Sequence, residues 1–188
     1  HYGSDLPGNI LPGRESLEQW LRRDIPCISG DHIVSEYEAM ADRAILGEAP
    51  GSSAGGERPK FTACRGDEGK EPVHVIVKFS PEISDNPVPE RWIDLLVAEW
   101  IALDLLSRRG FGEQKVRLIQ GERRWMLEIE RYDRVGKKGR RPWISLGAID
   151  DELFGRRDTQ RKALVRMEKL KLIAPGDSQN AQIVSLFG

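Results

Sequence analysis

The sequence predicts an α+β protein, and three observations carry that prediction. Val73-His74-Val75-Ile76-Val77-Lys78-Phe79 alternates as a half-buried strand does, with Val73, Val75, Val77 and Phe79 on one face. A long helical pattern over residues 89–109 follows, closed by Gly110. Two further strand-like segments, residues 116–120 and 123–130, then flank the turn Gly121-Glu122. A single long helix between antiparallel strands is not the repeated βαβ of a doubly wound sheet.

The other elements follow in chain order. Residues 1–14 are dense in Gly and Pro and predict consecutive turns. Residues 15–23 predict a short helix, with Leu17, Trp20 and Leu21 at helical spacing, stopped by Pro26. A second helix is expected over 34–46, with Met40, Ala44 and Ile45 inward. Residues 47–56 break regular structure, and residues 61–64 form a short strand. Arg65-Gly66-Asp67-Glu68-Gly69-Lys70 reads as the polar hairpin turn into the Val73 strand, after which Pro81, Pro87 and Pro89 interrupt the pattern. Residues 134–141 read as a basic loop. The tail predicts one helix near 158–172, then Pro175-Gly176, then a last helix. Asp150-Asp151-Glu152 is expected at a helix start, where acidic side chains suit the dipole. The expected organisation is a turn and helix segment at 1–50, a lobe at 51–134, and a basic loop with further helices at 135–188.

Composition narrows the function. A chain of 188 residues with 39% hydrophobic and 31% charged residues can bury a core and remain soluble. A net charge of -1 gives no global electrostatic case for nucleic acid or membrane binding. No apolar run approaches the roughly 20 residues of a membrane helix. With no secretory signal either, a cytoplasmic protein is expected. Cys27 and Cys64 are far apart and lack a CxxC partner, so reduced thiols are expected and a structural zinc is not. His1, His32 and His74 have neither triad nor metal-ligand spacing.

Four stretches could carry chemistry. Gly51-Ser52-Ser53-Ala54-Gly55-Gly56-Glu57-Arg58-Pro59-Lys60 is a glycine-rich loop whose backbone could approach an anion, although it matches neither a Walker A nor a G-x-G-x-x-G pattern. Lys78 stands in a strand with apolar neighbours. Glu99 sits on the stripe Trp92, Leu96, Glu99, Leu103, Leu106, where an unpaired carboxylate would be costly to bury. The pattern therefore suggests a Lys78–Glu99 ion pair, of the kind that holds a lysine against ATP phosphates in protein kinases. Finally, Leu127-Glu128-Ile129-Glu130-Arg131-Tyr132-Asp133-Arg134 runs from a strand into a charged, aromatic turn.

Together these residues resemble the HipA-like serine/threonine kinases, the toxin component of a toxin–antitoxin system. The resemblance rests on Ser53-Ala54-Gly55-Gly56-Glu57-Arg58-Pro59-Lys60, Val77-Lys78-Phe79, Ala98-Glu99-Trp100 and Glu130-Arg131-Tyr132-Asp133-Arg134, in the family's order. Glu57 and Arg58 stand where Ala and Gln are usual. The resemblance implies a kinase-like N-lobe, an antiparallel sheet with one long helix, followed by the start of an α-helical C-lobe. It implies ATP as ligand, with Gly55, Gly56, Glu57, Arg58, Pro59 and Lys60 as the phosphate-covering loop. Lys78 then binds phosphate, Glu99 is its partner, and Glu130, Arg131 and Tyr132 contact adenine. Ser53 matches the serine that such kinases autophosphorylate.

The resemblance also implies Mg²⁺, a protein substrate such as a translation component, and an antitoxin. The family's Asn-x-Asp-x-His-x-x-Asn loop and its later metal-binding Asp do not occur in this sequence. The chain, which begins at His1, is therefore expected to be a fragment ending before the catalytic loop and inactive alone. Two other classes stay open: a non-catalytic binding module that keeps the lobe, and a nucleic-acid-binding module using residues 134–141 and the basic stretch 156–171. Nucleotide titration separates the first from the kinase, and a steep salt dependence of DNA binding would identify the second.

Overall fold

The structure, a computed structural model, describes residues 6–48, 58–67, 69–85, 87–112, 115–155 and 157–184. It divides into two compact units, one of His1–Asp104 with Gln114–Pro142, the other of Leu105–Glu113 with Trp143–Gly188.

The first unit is built on four antiparallel strands. These are β1 (Lys60–Arg65), β2 (Val73–Phe79), β3 (Val116–Gln120) and β4 (Trp125–Glu130), in the order β1-β2-β4-β3. The alternation in β2 sets the faces. Val75, Val77 and Phe79 are fully or almost fully buried, together with Phe61 and Ala63 of β1 and Met126 of β4. A helix, α2 (Ile33–Ile45), covers this face with Ile33, Tyr37, Met40 and Ala41. Phe61 is the centre of the layer: its ring lies 5.5 Å from Tyr37, edge on, and 5.8 Å from Phe79. Each such aromatic buries on the order of 150–250 Å² and makes burial the main stabilising term here. Ile45, expected inward, is exposed. The inward stripe Ile33, Tyr37, Met40, Ala44 leaves it about 100° around the helix.

Helix α1 (Gly13–Arg22) feeds a smaller cluster of Trp20, Ile25 and Cys64. Trp20 donates from its indole nitrogen to the Lys138 carbonyl (3.2 Å), and the Arg140 guanidinium lies 4.6 Å from its ring. Residues 134–141 are not an open basic loop. They form a small hairpin of β5 (Arg134–Val135) and β6 (Gly139–Arg140), turned at Gly136 with φ 52°. The side chains of Arg134 and Arg140 donate to the carbonyls of Leu6 and Gly8, and Arg134 is buried against Asp133. The Gly/Pro-rich start of the chain offers unpaired carbonyls, and these guanidiniums satisfy them. Cys27 and Cys64 are joined in a disulfide, with Cα atoms 4.6 Å apart, so the expectation of two reduced thiols is corrected.

The long helix α3 (Pro87–Arg108) starts two residues earlier than predicted, because prolines in a first turn lack only an N–H that needs no helical partner. Leu96 is its buried anchor, and Gly110 lies beyond its end at φ 76°.

The second unit holds α4 (Leu146–Phe154), α5 (Gln160–Lys169) and α6 (Asp177–Val184). Helix α4 begins where the Ser145 hydroxyl accepts from the Ala148 amide (3.1 Å) and ends at Gly155 in a left-handed conformation. Asp150, Asp151 and Glu152 therefore lie inside the helix, and the reading of them as its start is corrected. Asp150 is buried and accepts from Arg166 and from the Asp158 amide, 2.8 Å each, which ties α4 to α5. Ala163, Leu164 and Met167 bury the inner stripe of α5.

Candidate functional site

The sheet face opposite α2 carries the polar members of β1 and β2, Lys60, Thr62, His74 and Lys78. Lys60 opens β1 and Lys78 is the sixth residue of β2; the antiparallel register sets them directly opposite each other. Two ammonium groups on neighbouring strands repel. Glu99 answers them: from α3 its carboxylate accepts from the Lys78 ammonium, with both side chains about three-quarters buried. Lys60 is buried, and its pKa lies below the usual lysine value. Burial is the larger cause and the Lys78 charge the second, with Glu99 working in the opposite direction.

Among the described residues, the arrangement brings Lys60, Lys78 and Glu99 together on a partly enclosed surface. Such a surface favours an anion with several oxygens, because each ammonium offers three donors and Coulomb attraction is strengthened away from bulk water. Arg58 and Pro59 lie half-buried just before Lys60. Ser53, Gly55, Gly56 and Glu57 lie outside the described residues.

The turn residues behave differently. Val75 pairs with Glu130 while Lys78 pairs with Leu127, so Glu130 stands three residues, roughly 10 Å, along the ladder from Lys78. Its side chain also belongs to the α2 face, where it accepts from Arg65 at 2.7 Å. Arg131 clamps Asp133 with two bonds of 2.9 Å, and its amide donates to the His74 carbonyl at 2.8 Å. Tyr132 is half exposed beneath the Arg141 guanidinium. The structure thus gathers Lys60, Lys78 and Glu99, and leaves the side chains of Glu130 and Arg131 engaged elsewhere.

A second charged group escaped the sequence reading. Glu128 is fully buried on the α2 face, accepting from the Tyr37 hydroxyl at 2.7 Å and from Arg65 at 3.1 Å, with Arg117 at 3.6 Å. Burial and then the Glu128 charge push the Tyr37 phenol far above its ordinary pKa. The available signal was a carboxylate inside the apolar run Met126-Leu127-Glu128-Ile129, which needs paired donors to be buried. Among the described residues no group of three or more His, Cys, Asp or Glu side chains could hold a metal ion. Among them, too, no helix is long and apolar enough to cross a membrane.

Comparison with known proteins agrees with the resemblance drawn from the motifs. The family profile of the HipA-like C-terminal domain matches residues 52–169. The toxin YjjJ of Escherichia coli K12 is 33% identical over 190 aligned positions, which cover the whole of this chain and 42% of that protein. The chain thus spans less than half the length of that relative. No solved structure matches it significantly. With the profile running from ahead of β1 into α5 and including Lys60, Lys78 and Glu99, the chain belongs to the HipA-like C-terminal domain family.

Proposed function

We propose that residues 51–134 are the ATP-binding lobe of a HipA-like serine/threonine protein kinase, a kinase-like N-lobe with α3 as its regulatory helix. The observation that supports this reading most is the Lys60–Lys78–Glu99 cluster. Lys78, positioned by Glu99, binds the nucleotide phosphates, and Lys60 adds a second cation on the same face. Residues 55–60 cover the phosphates. The turn at Glu130, Arg131 and Tyr132 reads the adenine edge through backbone groups other than the Glu130 and Arg131 amides, since those amides donate to the Lys115 and His74 carbonyls and the two side chains are committed to Arg65 and Asp133.

ATP supplies the transferable phosphoryl group, and catalysis of that transfer rests on positioning and on charge stabilisation. The described residues do not form a Mg²⁺ site. The whole protein phosphorylates serine or threonine on a protein substrate, a translation component, answers to an antitoxin, and is switched off by phosphorylation of Ser53. This chain by itself binds nucleotide without turnover. A non-catalytic module is the second reading, motivated by Glu57, whose carboxylate is unfavourable beside a triphosphate.

Calorimetric titration with ATP–Mg²⁺ tests the proposal. The expected result is saturable binding that weakens about tenfold or more in Lys78→Ala, corresponding to roughly 1.4 kcal/mol or more. Absence of binding by the unmodified, full-length protein would favour the non-catalytic module instead.

A further inference from the structure

The sequence has two cysteines, and the fold brings them together across 37 residues. The disulfide lies where the segment after α1 runs beside the outer edge of β1. Ile28 bridges Arg65 in parallel there. The Ile28 amide donates to the Cys64 carbonyl at 2.8 Å, and the Gly66 amide to the Ile28 carbonyl at 3.0 Å. Cys64 is buried, whereas Cys27 is half-buried. Both line a cavity of about 520 Å³ within the first unit, large enough for a small organic ligand. Its charged lining comprises Arg23, Arg43 and Arg131 against the single carboxylate of Glu36. Arg131 is offset by Asp133, which leaves Arg23 and Arg43 against Glu36, a net positive wall around an apolar floor.

We propose that Cys27–Cys64 is a reversible thiol–disulfide site, and that this cavity admits a small anionic thiol of the glutathione class to the sulfur of Cys27. The thiolate attacks Cys27 Sγ, the S–S bond breaks, and Cys64 Sγ leaves with the electron pair and takes up a proton. A second thiolate attacks the mixed disulfide on Cys27, releases the Cys27 thiolate, which is then protonated, and forms the reductant's own disulfide. The two cysteines gain two electrons and two protons; two reductant thiols are oxidised. The positive wall favours both the incoming thiolate and the departing one. Reduction loosens the segment at the β1 edge, because the bridge at Ile28 then rests on its two backbone hydrogen bonds, with the Gly30 amide donating to Asp67 at 2.8 Å beyond it.

The test uses the oxidised wild-type protein and needs no nucleotide. It is treated with glutathione, or with neutral 2-mercaptoethanol at equal thiolate concentration, and followed by mass spectrometry and amide hydrogen exchange. The expected results are these: glutathione reacts several-fold faster at low salt, and the advantage shrinks at high salt and in Arg43→Gln. The trapped mixed disulfide maps to Cys27, and oxidised glutathione restores the starting mass. After reduction the Ile28 and Gly66 amides exchange about tenfold faster or more. Equal rates for the two thiols, trapping on Cys64, failure to re-form the bond, or unchanged exchange at both amides would each overturn the proposal.

Discussion

Lys60, Lys78 and Glu99 show how single residues are read through their neighbours. Lys78 was legible because a strand lysine and a helix carboxylate on an apolar stripe each need a partner. That Lys60 would be its cross-strand neighbour was not legible, since register depends on where the hairpin turns. For the same reason the sequence did not show that Glu130, paired with Val75, turns its side chain to the α2 face. Tyr37 is the donor most closely held by buried Glu128. Tyr37→Phe should destabilise the first unit by about 1.5–3 kcal/mol, the usual loss for a hydrogen bond to a charged group, seen as a lower denaturant midpoint at unchanged slope. Asp133 gives a pH signature. Burial works to raise its pKa, but the two Arg131 bonds, the Gly8 amide and Arg134 hold it below the usual aspartate value. A folded pKa below the unfolded one adds stability above roughly pH 4. That stability disappears as pH falls through the unfolded value towards the folded one. In thermal melts, Asp133→Asn should be less stable than wild type near neutrality, with the difference narrowing below about pH 4.

Among elements, β2 and the long helix were the most legible. Strict alternation gives β2 its bounds, and the length and closing glycine give α3 its end. The hairpin β5–β6 and helix α4 were not. Two-residue strands have no periodicity, and α4 carries its acidic residues mid-helix, where one of them is buried against Arg166. The Ser145 cap and the left-handed Gly155 were the available markers. Ser145→Ala should cost about 1 kcal/mol through the loss of the Ala148 bond, read as a lower melting temperature of the second unit with little change in ATP affinity.

At the scale of the molecule, the α+β class follows from element order, because a helix inserted between antiparallel strands admits few alternatives. The disulfide was invisible at this scale. Two cysteines without a framework of others give no spacing to read, and their meeting depends on the segment after α1 returning to the β1 edge. The basic stretches that suggested nucleic acid are largely consumed inside their own units. Arg134 and Arg140 bind chain carbonyls, and Arg166 binds Asp150. Fluorescence anisotropy with duplex DNA at physiological salt should therefore show no binding tighter than the non-specific range, on the order of 10⁻⁴–10⁻⁶ M.

The opposed lysines place an uneven constraint on how related chains can vary in length. The polar turn between β1 and β2 can gain or lose residues while Lys60 and Lys78 stay face to face, because the ladder and not the turn fixes their register. One residue added inside either strand is another matter. Unless a bulge absorbs it, parity reverses beyond the insertion, sending one lysine into the α2 layer and an apolar side chain out to the opposite face. Length changes in this hairpin should therefore gather between Arg65 and Val73 and be rare within the five strand residues that separate each lysine from the turn.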